Sequence, residues 1–94
     1  MNIPAVPIAA FTSDGVAQSA PALLYSVVVT ASSAGGGAVI YNNASAASGT
    51  ILATVKAAAA NETVQVSFNP PVPASLGLFV DLTNAVVYVQ SLTI

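Results

Sequence analysis

The stretch Thr63-Val64-Gln65-Val66-Ser67-Phe68 decides how this chain is read. Val64, Val66 and Phe68 recur at every second position, with Thr63, Gln65 and Ser67 between them. A period of two puts the apolar set on one face of a β-strand and the polar set on the other. Working outward, the same signal recurs. Ala22 to Ala31 (ALLYSVVVTA) reads as a long valine-rich strand, too apolar on both faces for a simple half-buried one. Ala38 to Tyr41 reads as a short return strand after the glycine turn Ser32 to Gly37, and Thr50 to Ala57 as the next strand after a polar loop, Asn42 to Gly49. Asn69-Pro70-Pro71-Val72-Pro73 is expected to end the central strand, because proline cannot donate to a ladder. Leu78, Val80 and Leu82 alternate with Phe79 and Asp81, and Thr83-Asn84 turns the chain tightly into Ala85 to Leu92.

These strands, separated by Gly, Pro and Asn, predict an all-β fold: a small antiparallel sandwich, jelly-roll or Greek-key-like, of about six to eight strands. Residues 22–94 form that domain. Residues 1–21, punctuated by Pro4, Pro7 and Pro21 and by the turn Asp14-Gly15, read as an extended N-terminal arm. Ile3, Val6, Ile8 and Phe11 are its spaced apolar anchors and the candidate partner contacts. The arm has two readings: it folds back to close an edge of its own domain, or it reaches a neighbour. On the second, deleting residues 1–20 weakens attachment to a partner more than it weakens folding of 22–94.

Charge is the unusual part of the composition. Asp14, Lys56, Glu62 and Asp81 are the only charged residues, 4% of 94, while 55% are hydrophobic. An ordinary soluble domain carries about 25% charged residues. A chain of this size folds to roughly 4,900 Å² of surface, and four charges leave most of it neutral. Such a surface suits a protein covered by neighbours, since each partner in a standard interface gives about 800 Å². One cation cannot neutralise a run of phosphates, which argues against nucleic acid and against a polybasic membrane contact. Residues 15–55 carry no charge, yet Pro21, the glycines at 35–37 and Asn42-Asn43 cut every apolar run below the length of a spanning helix. The N-terminus lacks a positive n-region and does not read as a signal peptide. Asn43-Ala44-Ser45 and Asn61-Glu62-Thr63 read as chance sequons.

Chemistry-bearing residues are scarce. Histidine, cysteine and tryptophan are absent, so Ser–His and Cys–His nucleophilic arrangements cannot be built. Lys56 reads as a solvated strand-end residue paired at most with Glu62. Three carboxylates in three segments give no metal site and no catalytic pair, and Asp81 reads as a solubilising charge on an outward face. No Gly-Lys-Ser/Thr follows the triple glycine, so it is no phosphate cradle. No catalytic, metal or cofactor residue is expected and the chain is not read as an enzyme. Tyr25, Tyr41 and Tyr88 leave a sugar-stacking platform as an alternative.

The segments LYSVVVTA (24–31), AVIYNNASAASGTILA (38–53), ETVQVSF (62–68) and GLFVDLTNAVVYV (77–89) together resemble small head-associated proteins of tailed bacteriophages. The pattern is a short strand ending in Tyr41-Asn42-Asn43, a Ser/Ala/Gly loop, a Gly49-Thr50-Ile51-Leu52 strand and later a Gly77-Leu78-Phe79-Val80 strand. It covers the chain from about residue 22 onward and leaves the arm out. The resemblance implies a β-sandwich that coats or decorates a virion, as cement or head-fibre proteins do, and it transfers no active-site residue. The expected partners are a major capsid protein and copies of the chain itself, as a homo-oligomer with a trimer as the guess, at the capsid surface. A tail, fibre or adaptor role, or a glycan-binding module, are the alternatives.

Overall fold

The computed structural model describes residues 8–94. Over these described residues the chain is all-β, with eight strands in two four-stranded antiparallel sheets. They are β1 (Ile8–Phe11), β2 (Gly15–Gln18), β3 (Ala22–Ala31), β4 (Gly37–Tyr41), β5 (Ile51–Lys56), β6 (Thr63–Ala74), β7 (Leu78–Thr83) and β8 (Ala85–Thr93). The first sheet runs β1-β8-β3-β6 and the second β2-β7-β4-β5. Every connection crosses between sheets except the β4–β5 hairpin, which nests two Greek keys into a jelly roll.

Strand periodicity builds the core between the sheets. On β3, Leu24, Val27 and Val29 are fully buried; on β8, Val87 and Val89; on β4 and β7, Ile40, Leu78 and Val80. The inward positions of β3 step by three between Leu24 and Val27 because the register shifts between Leu24 and Ser26. An extra residue in a strand reverses the faces beyond it. Without that bulge the second half of β3 would turn its valines outward. Only one face of β3 is buried by the domain itself. Leu23, Val28 and Thr30 on its other face stay partly accessible, so the strand is less covered than its composition suggested.

Two expectations about connections are corrected. The turn Ser32 to Gly37 does not fold β4 back onto β3; it carries the chain across the sandwich, tied by Ser32 N–H to Asn84 O (2.8 Å) and Gly35 N–H to Ala57 O (2.9 Å). Thr83-Asn84 likewise joins strands in different sheets, with Asn84 in the left-handed region (φ 47°). The proline run does not end β6 either. Val72, Pro73 and Ala74 resume pairing opposite Leu24, Leu23 and Ala22, while residues 68–71 bow out opposite Tyr25 alone. The prolines are tolerated because β6 is an edge strand, where one row of N–H groups has no partner to lose.

Residues 8–18 supply an edge strand to each sheet. β1 pairs with β8 from Ile8↔Gln90 to Phe11↔Val87, and β2 pairs with β7 from Gly15↔Val80 to Gln18↔Leu78. Ile3 and Val6 lie outside the described residues.

Candidate functional site

The outer face of the β1-β8-β3-β6 sheet is the most distinctive surface of the molecule. None of its four strands holds a charged residue. Its rows follow from the register. Ala10, Tyr88, Val28 and Gln65 lie side by side; on one side of them run Ile8, Gln90, Ser26 and Ser67, and on the other Val86, Thr30 and Thr63. Further along, Leu92, Leu23 and Pro73 form another row. Ile8 is 64% exposed and Tyr88 42%, which is high for side chains of this size on a sheet. The polar members engage one another, Ser26 Oγ donating to Gln90 Oε1 (3.1 Å) and the Thr30 and Thr63 hydroxyls meeting at 2.9 Å. The face therefore carries two apolar stretches, around Tyr88 and Val28 and around Leu92 and Leu23, separated by a row of neutral groups able to donate and to accept.

All four charges sit elsewhere. Lys56 is on β5 and Asp81 on β7, both on the outer face of the other sheet, and Asp14 and Glu62 are in loops. Glu62 does not simply face solvent: its Oε1 accepts from Ala58 N–H (2.8 Å) and closes the turn in which Asn61 takes a left-handed conformation (φ 64°). Lys56, Asp81, Thr54, Thr83, Val39 and Gly37 border a hollow of about 60 Å³, room for a few water-sized groups at most. Beside it runs an apolar row, Val16, Phe79, Tyr41 and Ile51.

Asp14 and Asp81 do converge, although they are far apart in sequence. Asp14 Oδ1 accepts from Leu82 N–H at 2.9 Å, which holds its carboxyl beside that of Asp81. Partial burial, and then the neighbouring Asp14 carboxyl, which is also hydrogen-bonded to it, raise Asp81 above its ordinary value. A group with a raised folded pKa contributes stability below its unfolded pKa and loses it as pH rises through the folded value. Asp81→Asn is therefore expected to melt at a higher temperature than the parent chain near pH ~7, with the gap closing near pH ~3. Thermal melts at the two pH values check this, and a gap of equal size at both would refute it. Two carboxyls do not make a metal site, and among the described residues no group of three or more metal-ligating side chains occurs.

Of the four candidate contact residues, Ile8 lies on the neutral face, while Phe11 turns inward and packs against the core. Tyr41 and Tyr88 stand on opposite outer faces of the sandwich, and Tyr25 sits at the irregular position of β3, so the three do not share one platform. Sequence reading passed over two polar ties. Asn42 Oδ1 accepts from Leu76 N–H (2.9 Å) and its Nδ2 donates to Ser75 Oγ (3.1 Å), fastening the β4–β5 loop to the β6–β7 turn. Gln18 joins the two sheets, donating to Ser91 Oγ (3.1 Å) and accepting from Thr93 Oγ1 (3.0 Å). Asn after a strand is a turn signal, but nothing local names its distant acceptor or donor.

Among the described residues no helix is long and apolar enough to cross a membrane. No protein-family model, no curated protein and no solved structure matches the chain.

Proposed function

We propose that this chain is a non-enzymatic structural virion protein that binds the outer surface of a tailed-phage capsid and stabilises or decorates it through apolar protein–protein contacts. The observation that carries the reading is a four-stranded outer face without one charge on a protein that has only four. A surface kept in water has no reason to shed its charges, whereas a surface that is desolvated on assembly avoids the cost of burying them. The strands that resemble phage head proteins are β3, β4, β5, β6, β7 and β8, which make up most of both sheets. The jelly roll is common in viral coat and lectin domains, a likeness of fold and no more.

The energetics suit a lattice. Burying about 400 Å² of apolar surface gives roughly 10 kcal/mol before association costs of about 4–15 kcal/mol. A single contact is then marginal, and many contacts on one repeating surface act together. The partners in this reading are the major capsid protein and further copies of the chain.

The test uses particles of the encoding phage grown without this protein. Added chain is expected to co-sediment with them at saturable stoichiometry, to label the heads in electron micrographs and to raise the temperature at which they open. Chain left in the supernatant overturns the proposal; label confined to the tail replaces it with the tail or fibre role.

A further inference from the structure

We infer that the neutral face of the β1-β8-β3-β6 sheet is where two copies of this chain pair, face to face about a two-fold axis. The inference rests on the assembly reading and names the occupant of one surface. Three observations favour a second copy over an unlike partner.

First, a two-fold interface sets each residue against a residue of the same surface, so its groups must tolerate their own kind. Asp, Glu, Lys and Arg fail that condition near the axis. Ser, Thr, Gln and Tyr meet it, because each both donates and accepts. The polar groups of this face are of that class: Thr30, Thr63, Gln65, Ser67, Tyr88 and Gln90, with Ser26 buried beneath its bond to Gln90. Second, the chain carries a net charge of −2, and its three carboxylates lie on the other sheet or in loops. Face-to-face pairing keeps those like charges away from the contact. Third, the size is right. β1 spans 4 residues, β8 spans 9, β3 spans 10 and β6 spans 12; at about 3.3 Å per residue and about 4.8 Å between strands they give a footprint of roughly 550 Å². Two such faces together pass the ~1,000 Å² that a specific interface needs. Tyr88 and Val28, cross-strand neighbours in the middle of the face, supply an apolar centre, with Leu92 and Leu23 a second apolar stretch beside it.

Light scattering and sedimentation equilibrium on the purified full chain read the result. At roughly 100 µM, well above the micromolar Kd of even a modest pair, the mass is expected to be twice that of one chain, 9.2 kDa. Val28→Glu and Tyr88→Glu place uncompensated carboxylates at the centre and are expected to weaken pairing on the order of 100-fold or more. Thr54→Glu, exposed on the opposite face, is expected to leave the mass unchanged. Circular dichroism and melting confirm that each variant is folded, and Tyr88, more exposed than Val28, keeps the test valid where a change on β3 disturbs folding. A wild-type monomer, a mass of three chains as guessed from sequence, or a dimer insensitive to Tyr88→Glu overturns the inference. Particle attachment of the same variants is scored separately, so that loss of pairing and loss of capsid binding are told apart.

Discussion

Deleting residues 1–20 is expected to unfold the domain, not merely to detach it from a partner. β1 and β2 are the edge strands of the two sheets, and the deletion leaves β8 and β7 unpaired along those edges together. It also withdraws Phe11 and Ala17, both packed against the core. Truncating a fully buried phenylalanine costs about 3–5 kcal/mol, and the half-buried Phe11 contributes part of that. The Gln18 bridge to Ser91 and Thr93 goes too, as does the Asp14 bond that anchors Leu82 N–H. Each such hydrogen bond contributes about 1 kcal/mol. A domain of this size has only about 5–15 kcal/mol in total. A 21–94 fragment should therefore show little cooperative melting by circular dichroism. A sharp transition within a few degrees of the full chain would overturn this and favour the reading in which the arm reaches a neighbour. The sequence left both readings of the arm open, because its prolines mark only an extended segment. An edge strand uses the same local geometry, and only the long-range pairing of Ile8 with Gln90 and Gly15 with Val80 separates the two cases.

The same division runs through the rest of the fold. A period of two fixes which side chains share a face, so β3, β7 and β8 were legible to within a residue or two and the inward sets of β6 and β7 were assignable from Val64, Val66, Leu78 and Val80. It does not fix the partner strand. Thr83-Asn84 looks like a hairpin turn because it is short, yet it joins the two sheets, and the difference lies in contacts made by Asn84 O with Ser32 N–H, far away in sequence. The bulge that keeps Val27 and Val29 inside leaves no mark in a run as uniformly apolar as ALLYSVVVTA. Of the site, the scarcity of charge was plain in the composition. Its placement was not: that one whole sheet face is neutral emerges only when β1, β8, β3 and β6 are known to be neighbours. The Asp14–Asp81 encounter is invisible for the same reason, since it depends on β2 lying beside β7.

Gly37→Ala is expected to be among the most damaging single substitutions in the chain. A Cβ at this position would lie 2.2 Å from the Val55 carbonyl oxygen and 3.0 Å from Lys56 Cα, both backbone atoms of the adjacent strand β5. Backbone cannot rotate away as a side-chain end can. β4 and β5 would have to part where Gly37 pairs with Lys56, beside the crossing held by Ala57 N–H to Gly36 O at 2.9 Å. Overpacking of this kind costs about 3 kcal/mol or more where no soft neighbour can yield. For a domain of fewer than 100 residues that is a fall in Tm of about 15 °C. The neighbouring glycines provide the comparison. A Cβ at Gly36 would meet Asn84 O at 2.2 Å, so Gly36→Ala should be comparably severe. Gly35 has a left-handed φ of 81° but open space around it, and Gly35→Ala should cost only the conformational term of about 1–2 kcal/mol. Denaturant unfolding of the three variants orders them, and a Gly35→Ala loss equal to that of Gly37→Ala would show that backbone conformation, not the approach of β5, sets the requirement. A triple glycine read from sequence as one turn is thus three separate demands. The one at Gly37 also shapes the hollow that Lys56 and Asp81 border, because this residue lies between Lys56 and Thr83 in its lining.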